Sequence, residues 1–243
     1  MEFPYLTFGY ITIQIITFIT NCNMQNLSLN ECIMPTNSNE YFSSVVPWTL
    51  GCDTNILYDE VWRYITYPFF HYGIIHLLSN CIALSFLGTD LELIHGRKAF
   101  LIITTIGNIS GTWFFQINNF VHDKYRYLVG SSVSIYALIG SRQINILCNL
   151  DTMTNFEKKW RVLLLSTIII SDIIQYYVLY NPLIGYSAHL GGYVAGTFAA
   201  TYMIKNFHET ENEKKIINIL RPILTGVSTS TGVISYLLPL PNC

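Results

Sequence analysis

Long apolar stretches alternate with short polar connections along most of the chain. A stretch of about 20 apolar residues is long enough to cross a hydrocarbon layer of about 30 Å as a helix. Seven stretches of this kind cover approximately residues 4–20, 71–91, 99–117, 130–149, 161–180, 184–204 and 222–240. The pattern predicts an all-α membrane protein, a polytopic helical bundle whose backbone polar groups are paired within each helix.

Polar residues concentrate in two longer segments between the predicted spans. Residues 21–70 form a first loop that begins with many Asn and Ser residues, and Trp48 and Trp62 in its later part suit a membrane interface. The run KNFHETENEKK is expected to be a solvated linker between the sixth and seventh spans. The chain therefore divides into a six-helix core at residues 1–208, which includes the first loop, and a linker with a seventh helix at residues 209–243.

The composition agrees with a membrane protein. Hydrophobic residues make up 51% of the chain and charged residues 12%, and the mean hydropathy is +0.37; these values lie outside the usual balance of a soluble domain. The N-terminal stretch has neither a basic n-region nor a small-residue cleavage site, so we expect a retained first span rather than a signal peptide. The net charge of −2 and the lack of a basic tract argue against nucleic acid as a partner.

The distribution of Lys and Arg predicts the orientation in the membrane, because short cytosolic connections carry the excess of positive residues. One set of connections carries ten such residues, and the opposite set carries three, Arg63, Lys124 and Arg126. The larger set comprises Arg97, Lys98, Arg142, Lys158, Lys159, Arg161, Lys205, Lys214, Lys215 and Arg221. We therefore expect the N-terminus in the cytosol and the C-terminus outside it, in a multi-pass protein of the secretory pathway or the plasma membrane.

Two further features fall on the predicted extracytosolic side. Asn26 begins the sequence Asn-Leu-Ser, a candidate glycosylation site. Four cysteines also lie there, namely Cys22, Cys32, Cys52 and Cys243. In an oxidising compartment these cysteines could form disulfides in three alternative pairings.

Four polar residues lie at a similar depth in the even-numbered spans. His76 and Asn80 are near the start of the second span, Ser132 opens the fourth, and His189 is near the start of the sixth. In the predicted topology these spans all begin at the extracytosolic face, so the four side chains lie within roughly 10–15 Å of it. Polar groups at this depth normally face the bundle interior or a water-filled cavity.

Each of these residues also has a purely structural interpretation. A serine in a membrane helix usually bonds the carbonyl one turn earlier, and a histidine often links two helices. Their combination favours chemistry, because a serine needs a base to become a nucleophile and acyl transfer needs donors for the oxyanion. The four-residue spacing of His76 and Asn80 places both on one helix face, from which they can donate to the same point.

At these residues the sequence resembles the rhomboid family of intramembrane serine proteases, over about residues 48–208. The segment WRYITYPFFHYGIIHLLSN resembles the family's Trp-Arg pair followed by His and His-x-x-x-Asn, and GTDLELIHG resembles its Gly-x-x-x-Glu-x-x-x-Gly segment. GSSVSIYALIG resembles the Gly-x-Ser loop with a Tyr four residues on, and SAHLGGYVAG resembles Ala-His-x-x-Gly-x-x-x-Gly. All of these segments follow one another in the family's order.

The resemblance implies a rhomboid-like fold of six core transmembrane helices with a seventh at the C-terminus, as in secretase-type members. It implies that Ser132 is the nucleophile and His189 its general base, a dyad without an obligatory carboxylate. His76, Asn80 and the backbone N–H of Ser132 would form the oxyanion hole. The implied reaction is hydrolysis of peptide bonds in single-span membrane proteins, near the extracytosolic side of their transmembrane segment within the lipid bilayer.

Further residues match supporting positions of the family. Gly130 belongs to the loop before the serine, and Tyr136 matches a ring packed on the catalytic imidazole or else only fills the bundle. Gly192 and Gly196 match glycines that let the sixth helix approach the fourth. Asp172, in the fifth span, needs a partner inside the bundle that the sequence does not identify. Structural roles are expected for His71, Trp62, Arg63 and Glu92.

One residue departs from the family pattern. Most active rhomboids have Gly directly after the serine, whereas this chain has Val133, and a β-branched residue there could narrow the cleft or restrict the oxyanion loop. The alternative function is therefore a catalytically silent rhomboid that binds transmembrane clients for trafficking or degradation. A transporter is disfavoured, because the polar cluster lies at one face and the sequence shows no inverted repeat. Neither a metal nor a cofactor is expected, since the His and Cys residues lack zinc-site spacing.

Overall fold

The computed structural model describes residues 3–24, 29–33, 49, 60–122, 127–179, 184–207 and 209–237, and these residues are organised mainly in nine α-helices. The helices are α1 Tyr5–Met24, α2 Leu29–Ile33, α3 Arg63–Thr66, α4 Ile74–His95, α5 Arg97–His122, α6 Ser132–Cys148, α7 Asn155–Ile174, α8 Tyr186–Met203 and α9 Glu211–Leu237. A 3-10 turn, Tyr67–Phe69, follows α3, another, Leu150–Thr152, follows α6, and a π-helical turn, Gln175–Leu179, continues α7.

Each predicted span coincides with one of the long helices, so the all-α membrane architecture expected from the sequence is confirmed. Within the described residues, four helical stretches are long and apolar enough to cross a membrane, Tyr5–Met24, Ile74–His95, Arg97–Val121 and Asn155–Val178. The other predicted spans form α6, α8 and α9, which are shorter or more polar. Most residues of α6 and α8 are buried against other helices. These two helices therefore contact little lipid and can carry more polar side chains than a helix that faces it.

The centre of the bundle is formed by α5, α6 and α8, which pack closely against one another. Most side chains of α6 are buried, polar ones included. The hydroxyl of Ser134 on α6 donates to Asn108 Oδ1 on α5 at 2.8 Å, and the same hydroxyl lies 3.0 Å from the hydroxyl of Tyr10 on α1. Polar groups of the central helix therefore find partners inside the protein, as intramembrane polar residues require.

At the edge of the bundle lies α7. Leu165 is its one buried residue within the part of the helix that the structure describes, and large apolar side chains cover its other faces, as in a helix that faces lipid. Polar contacts join α7 to the bundle near both of its ends. Arg161 pairs with Asp90 of α4 at 3.3 Å, and Asp172 bonds His189 of α8 at 3.1 Å.

The start of α1 is held against the bundle by a buried carboxylate of α4. Glu92 is 4% exposed, and its oxygens accept hydrogen bonds from the backbone N–H of Leu6 at 3.0 Å and of Thr7 at 2.8 Å. The hydroxyl of Thr7 donates a third bond, also at 2.8 Å. The first N–H groups of a helix have no partner within it, and a carboxylate at this end also interacts favourably with the helix dipole. Glu92 thus fixes α1 to α4.

We expect Glu92→Ala to lower the free energy of unfolding by about 2–4 kcal/mol, because the buried donors of α1 lose a charged acceptor. Glu92→Gln, which keeps one carbonyl acceptor, is expected to lose less. Thermal unfolding of the purified protein in detergent measures both variants. An unfolding temperature of Glu92→Ala equal to that of the wild type would show that apolar contacts alone hold α1.

The charged segment between α8 and α9 is partly helical. The sequence predicts a solvated linker here, and α9 begins at Glu211, inside the charged run. The N–H of Thr210 donates to Glu213 Oε2 at 2.9 Å, and the N–H of Glu213 donates to Thr210 Oγ1 at 3.3 Å. This reciprocal capping box starts the helix. Charged side chains are compatible with a helix here, because water can solvate them along the first turns of α9.

One disulfide lies in the described part of the first loop and joins Cys22, near the end of α1, to Cys32 of α2. The pair Cys22–Cys32 occurs in one of the three pairings that the sequence leaves open. Disulfides persist in oxidising compartments, and the location of this loop in such a compartment stays a prediction. Cys52 and Cys243 lie outside the described residues, as do Asn26 and Trp48.

Candidate active site

The loop before α6 is held by neighbouring elements on several sides. Gly130 has a φ of +93°, a left-handed conformation that favours glycine, and its N–H donates to a carbonyl of the first 3-10 turn at 3.1 Å. The N–H of Ser131 donates to His71 Nε2 at 3.4 Å, and the Ser131 hydroxyl donates to Gln14 Oε1 at 3.2 Å. The chain then enters the helix, so that Ser132 is the first residue of α6.

Ser132 and His189 are in direct hydrogen-bond contact. The Ser132 hydroxyl lies 2.9 Å from Nε2 of His189 on α8, and the other ring nitrogen, Nδ1, lies 3.1 Å from Oδ2 of Asp172 on α7. Because a carboxylate only accepts hydrogen bonds, Nδ1 carries the proton in this arrangement and Nε2 accepts from the serine hydroxyl. The structure thus joins the two residues predicted as nucleophile and base, and it identifies the partner of Asp172.

Tyr136 restricts the orientation of the His189 ring. It lies one turn after Ser132 on α6, and its ring stacks on the imidazole with the centroids 4.3 Å apart and an interplanar angle of 12°. Of the two roles considered for Tyr136, the geometry matches packing on the imidazole.

Close packing of α8 on α6 allows the short distance between Ser132 and His189. Gly192 and Gly196 lie about one and two turns after His189 on α8. A Cβ atom at either glycine would overlap the backbone of α6, at Val133 in the first case and at Ala137 in the second. Backbone atoms cannot rotate out of the way, so a larger residue would push the two helices apart.

Two side chains of α4 converge on Gly130. A Cβ atom at Gly130 would lie 2.7 Å from His76 Nε2 and 3.1 Å from Asn80 Nδ2. The N–H of Tyr72 donates to His76 Nδ1 at 3.4 Å, which leaves the proton of the neutral imidazole on Nε2. Asn80 Nδ2 is buried and has no hydrogen-bond partner among the described residues. Two donors therefore meet at the loop before Ser132, where both can donate to a single negatively charged oxygen.

The Val133 side chain points into the packing between helices. The sequence suggests instead that this side chain could narrow the substrate cleft or restrict the oxyanion loop. Val133 is fully buried in a cluster with Phe115, Leu128 and Ala188, and it packs against Gly192. Consecutive residues of a helix point in directions about 100° apart, so Val133 turns into the seam between α5, α6 and α8 while Ser132 faces His189. The residue fills a space between helices and does not line the cavity that opens beside His189.

We expect Val133→Gly to leave the rate of any peptide cleavage no higher than in the wild type and to lower the free energy of unfolding by about 2–4 kcal/mol. The substitution opens a cavity in the seam and places a second flexible residue in the first turn of α6. Thermal unfolding and a cleavage assay on the same preparation test this. A more active and equally stable Val133→Gly variant would contradict it.

A cavity of about 620 Å³ opens beside His189, between α5, α7 and α8. Apolar and aromatic side chains such as Phe115, Ile169 and Tyr176 form most of its lining, together with Asp172 and His189. Its size and character suit an apolar ligand with a few polar contacts. In the part of the chain that the structure describes, His, Cys, Asp and Glu residues form no group of three positioned to hold a metal ion.

Sequence reasoning misses one residue of this site and the partner of another. Gln14 of α1 is fully buried and bonds the loop through Ser131, and a buried amide in an otherwise apolar first span is a signal that could have shown it. Asp172 is noted from the sequence without a partner. It lies near the same end of the bundle as His189, so comparison of depths in the fifth and sixth spans could have paired them.

Comparisons with known proteins show the family of this chain. The family model described as Rhomboid domain matches residues 58–206, more than half of the chain. Rhomboid-related protein 3 of Homo sapiens is 26% identical over 168 residues, which are 65% of this chain and 40% of that protein. Rhomboid protease GluP of Bacillus subtilis is 28% identical over 200 residues, 81% of this chain and 34% of that protein.

A third relative, Inactive rhomboid-related protein 2 of Caenorhabditis elegans, is 27% identical over 140 residues, 56% of this chain and 39% of that protein. The chain thus spans less than half the length of these three relatives. The matched domain nevertheless contains the loop, the helices and all the polar residues of the site from His71 to His189. The chain therefore belongs to the rhomboid family.

Proposed function

We propose that this protein is an intramembrane serine endopeptidase that cleaves single-span membrane proteins near the extracytosolic side of their transmembrane segment. The observation that carries the proposal is the 2.9 Å contact between the Ser132 hydroxyl and His189 Nε2. A serine that only stabilises the start of a helix would instead accept a hydrogen bond from a backbone N–H of the first turn. One relative is named a protease and another is named inactive, so the geometry of the site, rather than membership of the family, is the support.

In the proposed reaction, His189 Nε2 takes the proton of the Ser132 hydroxyl while the oxygen attacks the carbonyl carbon of the peptide bond. The carbonyl oxygen becomes an oxyanion that accepts hydrogen bonds from His76 Nε2–H, Asn80 Nδ2–H and the Ser132 N–H. His189 then donates its proton to the leaving nitrogen, and the C–N bond breaks to leave an ester on Ser132. A water molecule that His189 deprotonates hydrolyses the ester and restores the serine.

The unpaired donor of Asn80 supports a role in the transition state. A buried amide N–H without a partner destabilises a protein by about 1–3 kcal/mol. Asn80 Nδ2 is in this position among the described residues, beside Gly130. An oxyanion formed next to Ser132 would supply the missing acceptor. The Asn80 N–H would then gain its hydrogen bond only in the transition state, which lowers the activation free energy.

The cavity beside His189 supports an apolar peptide segment as the substrate. A peptide bond inside an intact transmembrane helix is enclosed by side chains and hydrogen-bonded, so the substrate must unwind locally before it reaches Ser132. We infer that substrates carry helix-weakening residues near the face at which the site opens. With a cytosolic N-terminus, as the Lys and Arg distribution predicts, this face is extracytosolic, in the secretory pathway or at the plasma membrane.

Reconstitution into liposomes with two single-span substrates of equal length tests the proposal. One substrate carries Gly and Pro in the outer third of its transmembrane segment, and its control carries Leu at the same positions. We expect faster cleavage of the first substrate, and mass spectrometry of the products should place the cut bond in that outer third. Binding of both substrates without cleavage would instead support a catalytically silent rhomboid that holds transmembrane clients.

A further inference from the structure

We propose that Asp172 is a positioning residue for His189, which makes the site a Ser–His–Asp arrangement rather than a two-residue dyad. The inference rests on the proposed function and adds a third side chain to it. Asp172 comes from α7, whereas Ser132 and His189 come from α6 and α8, so three separate helices contribute.

The contacts of the Asp172 carboxylate fit this role. Its Oδ2 atom lies 3.1 Å from His189 Nδ1, and the Asp172 and His189 side chains are 19% and 11% exposed. The Tyr136 ring stacks on the imidazole with the centroids 4.3 Å apart. The imidazole is therefore fixed by a hydrogen bond at its edge and by a ring on its face.

Two consequences for His189 follow from these contacts. The carboxylate selects the neutral tautomer with its proton on Nδ1, and only this tautomer presents a lone pair on Nε2 to the Ser132 hydroxyl. When Nε2 takes the serine proton, the imidazolium carries a positive charge that the nearby carboxylate stabilises. Asp172 thus acts through His189 and does not touch the peptide bond.

The position of Asp172 in α7 also argues for a specific role. An acidic residue within a membrane helix is costly and normally faces a partner inside the protein. The neighbouring side chains of α7 are apolar: Ile169 and Ile173 line the same cavity as Asp172, and Ile170 is exposed. Arg142 and Arg161 both form their described ion pairs with Asp90 of α4, near the other end of α7. His189 is thus the basic side chain that Asp172 contacts.

The same hydrogen bond could serve only to hold α7 against the bundle, and kinetics distinguish the two roles. Asp172→Asn keeps the size of the side chain but can accept from the ring with its carbonyl oxygen alone and carries no charge. In soluble serine proteases the corresponding change lowers kcat by about 10⁴-fold. We expect a smaller effect here, a fall in kcat of about 10- to 100-fold at unchanged KM, because Tyr136 still orients the ring.

The experiment compares wild type, Asp172→Asn, Asp172→Glu and Tyr136→Phe in the liposome assay, with Thr167→Val as the matched control. Thr167 is exposed on the same helix, and its hydroxyl bonds only a carbonyl of α7 in the described contacts. We expect Asp172→Glu to recover much of the lost kcat, because α7 lies at the edge of the bundle and can adjust to one more methylene. Tyr136→Phe keeps the stacked ring, and we expect it to lose less than Asp172→Asn.

A fall in kcat for Asp172→Asn, with recovery in Asp172→Glu and wild-type behaviour of Thr167→Val, supports the proposal. Wild-type kcat in Asp172→Asn overturns it and leaves the proposed protease function intact. Equal losses in Asp172→Asn and Asp172→Glu that follow a lowered unfolding temperature also overturn it, in favour of a structural link. An inactive wild type overturns the proposed function and this inference with it.

Discussion

Replacing Ser132 with alanine is expected to lower the rate of peptide cleavage by about 10⁴-fold or more. The hydroxyl is the atom that attacks the peptide carbonyl, and no other hydroxyl among the described residues contacts His189 Nε2. Stability should change little, because Ser132 lies in the first turn of α6, where the substitution removes one partly buried hydroxyl. Initial rates on the Gly- and Pro-containing substrate measure the effect.

The neighbouring serine provides a matched control for this experiment. Ser131 is fully buried, and its hydroxyl bonds Gln14 rather than His189. We expect Ser131→Ala to keep cleaving while losing about 1 kcal/mol of stability, the usual contribution of one hydrogen bond. Cleavage that persists in Ser132→Ala and disappears in Ser131→Ala would move the nucleophile to the adjacent residue.

The second large effect is expected from Gly196→Ala, a change of one methyl group seven residues away from His189. A Cβ atom at Gly196 would overlap the backbone of Ala137, so α8 must move away from α6. A displacement of about 1 Å at reacting atoms can cost about 100-fold in rate. We expect a loss of this size in kcat together with about 1–3 kcal/mol of stability from the overpacked contact.

Gly9→Ala is the matched control for Gly196→Ala. Gly9 also lies within a long helix, but no atom lies within 4 Å of a Cβ atom placed there. Alanine is more favourable than glycine inside a helix, so we expect Gly9→Ala to be at least as stable as the wild type and fully active. Equal activity of Gly9→Ala and Gly196→Ala would show that contact between α6 and α8 does not control the position of His189.

Depth along the predicted spans makes Ser132 and His189 recognisable from the sequence. Ser132 opens one even-numbered span and His189 lies near the start of another, and the structure places the two side chains within hydrogen-bond distance. The same reasoning places His76 and Asn80 on one face of α4, where both converge on Gly130. The helices themselves follow from apolar stretches, because lipid and the protein interior both select apolar side chains along a span.

The orientation of Asp172 and Val133 and the start of α9 depend on how helices are rotated and capped. The hydropathy of the sequence contains no information on either. The direction of Asp172 is set by the rotation of α7 about its axis, and a helix that is apolar on most faces carries little asymmetry from which that rotation can be read. The direction of Val133 depends on the joint packing of α5, α6 and α8. The start of α9 depends on the capping box of Thr210 and Glu213, a local signal inside a charged run.

The most direct test of the site is the chemical reactivity of Ser132 in the intact protein. A fluorophosphonate reacts with a serine whose hydroxyl is activated by a neighbouring base, so it reports that activation without any knowledge of the substrate. We expect peptide mass spectrometry to find the adduct on Ser132 of the wild-type protein and to find none on His189→Ala. Equal labelling of Ser132 in both proteins would contradict activation of Ser132 by His189. The absence of labelling in the wild type, under conditions in which a soluble serine protease reacts fully, would contradict it as well.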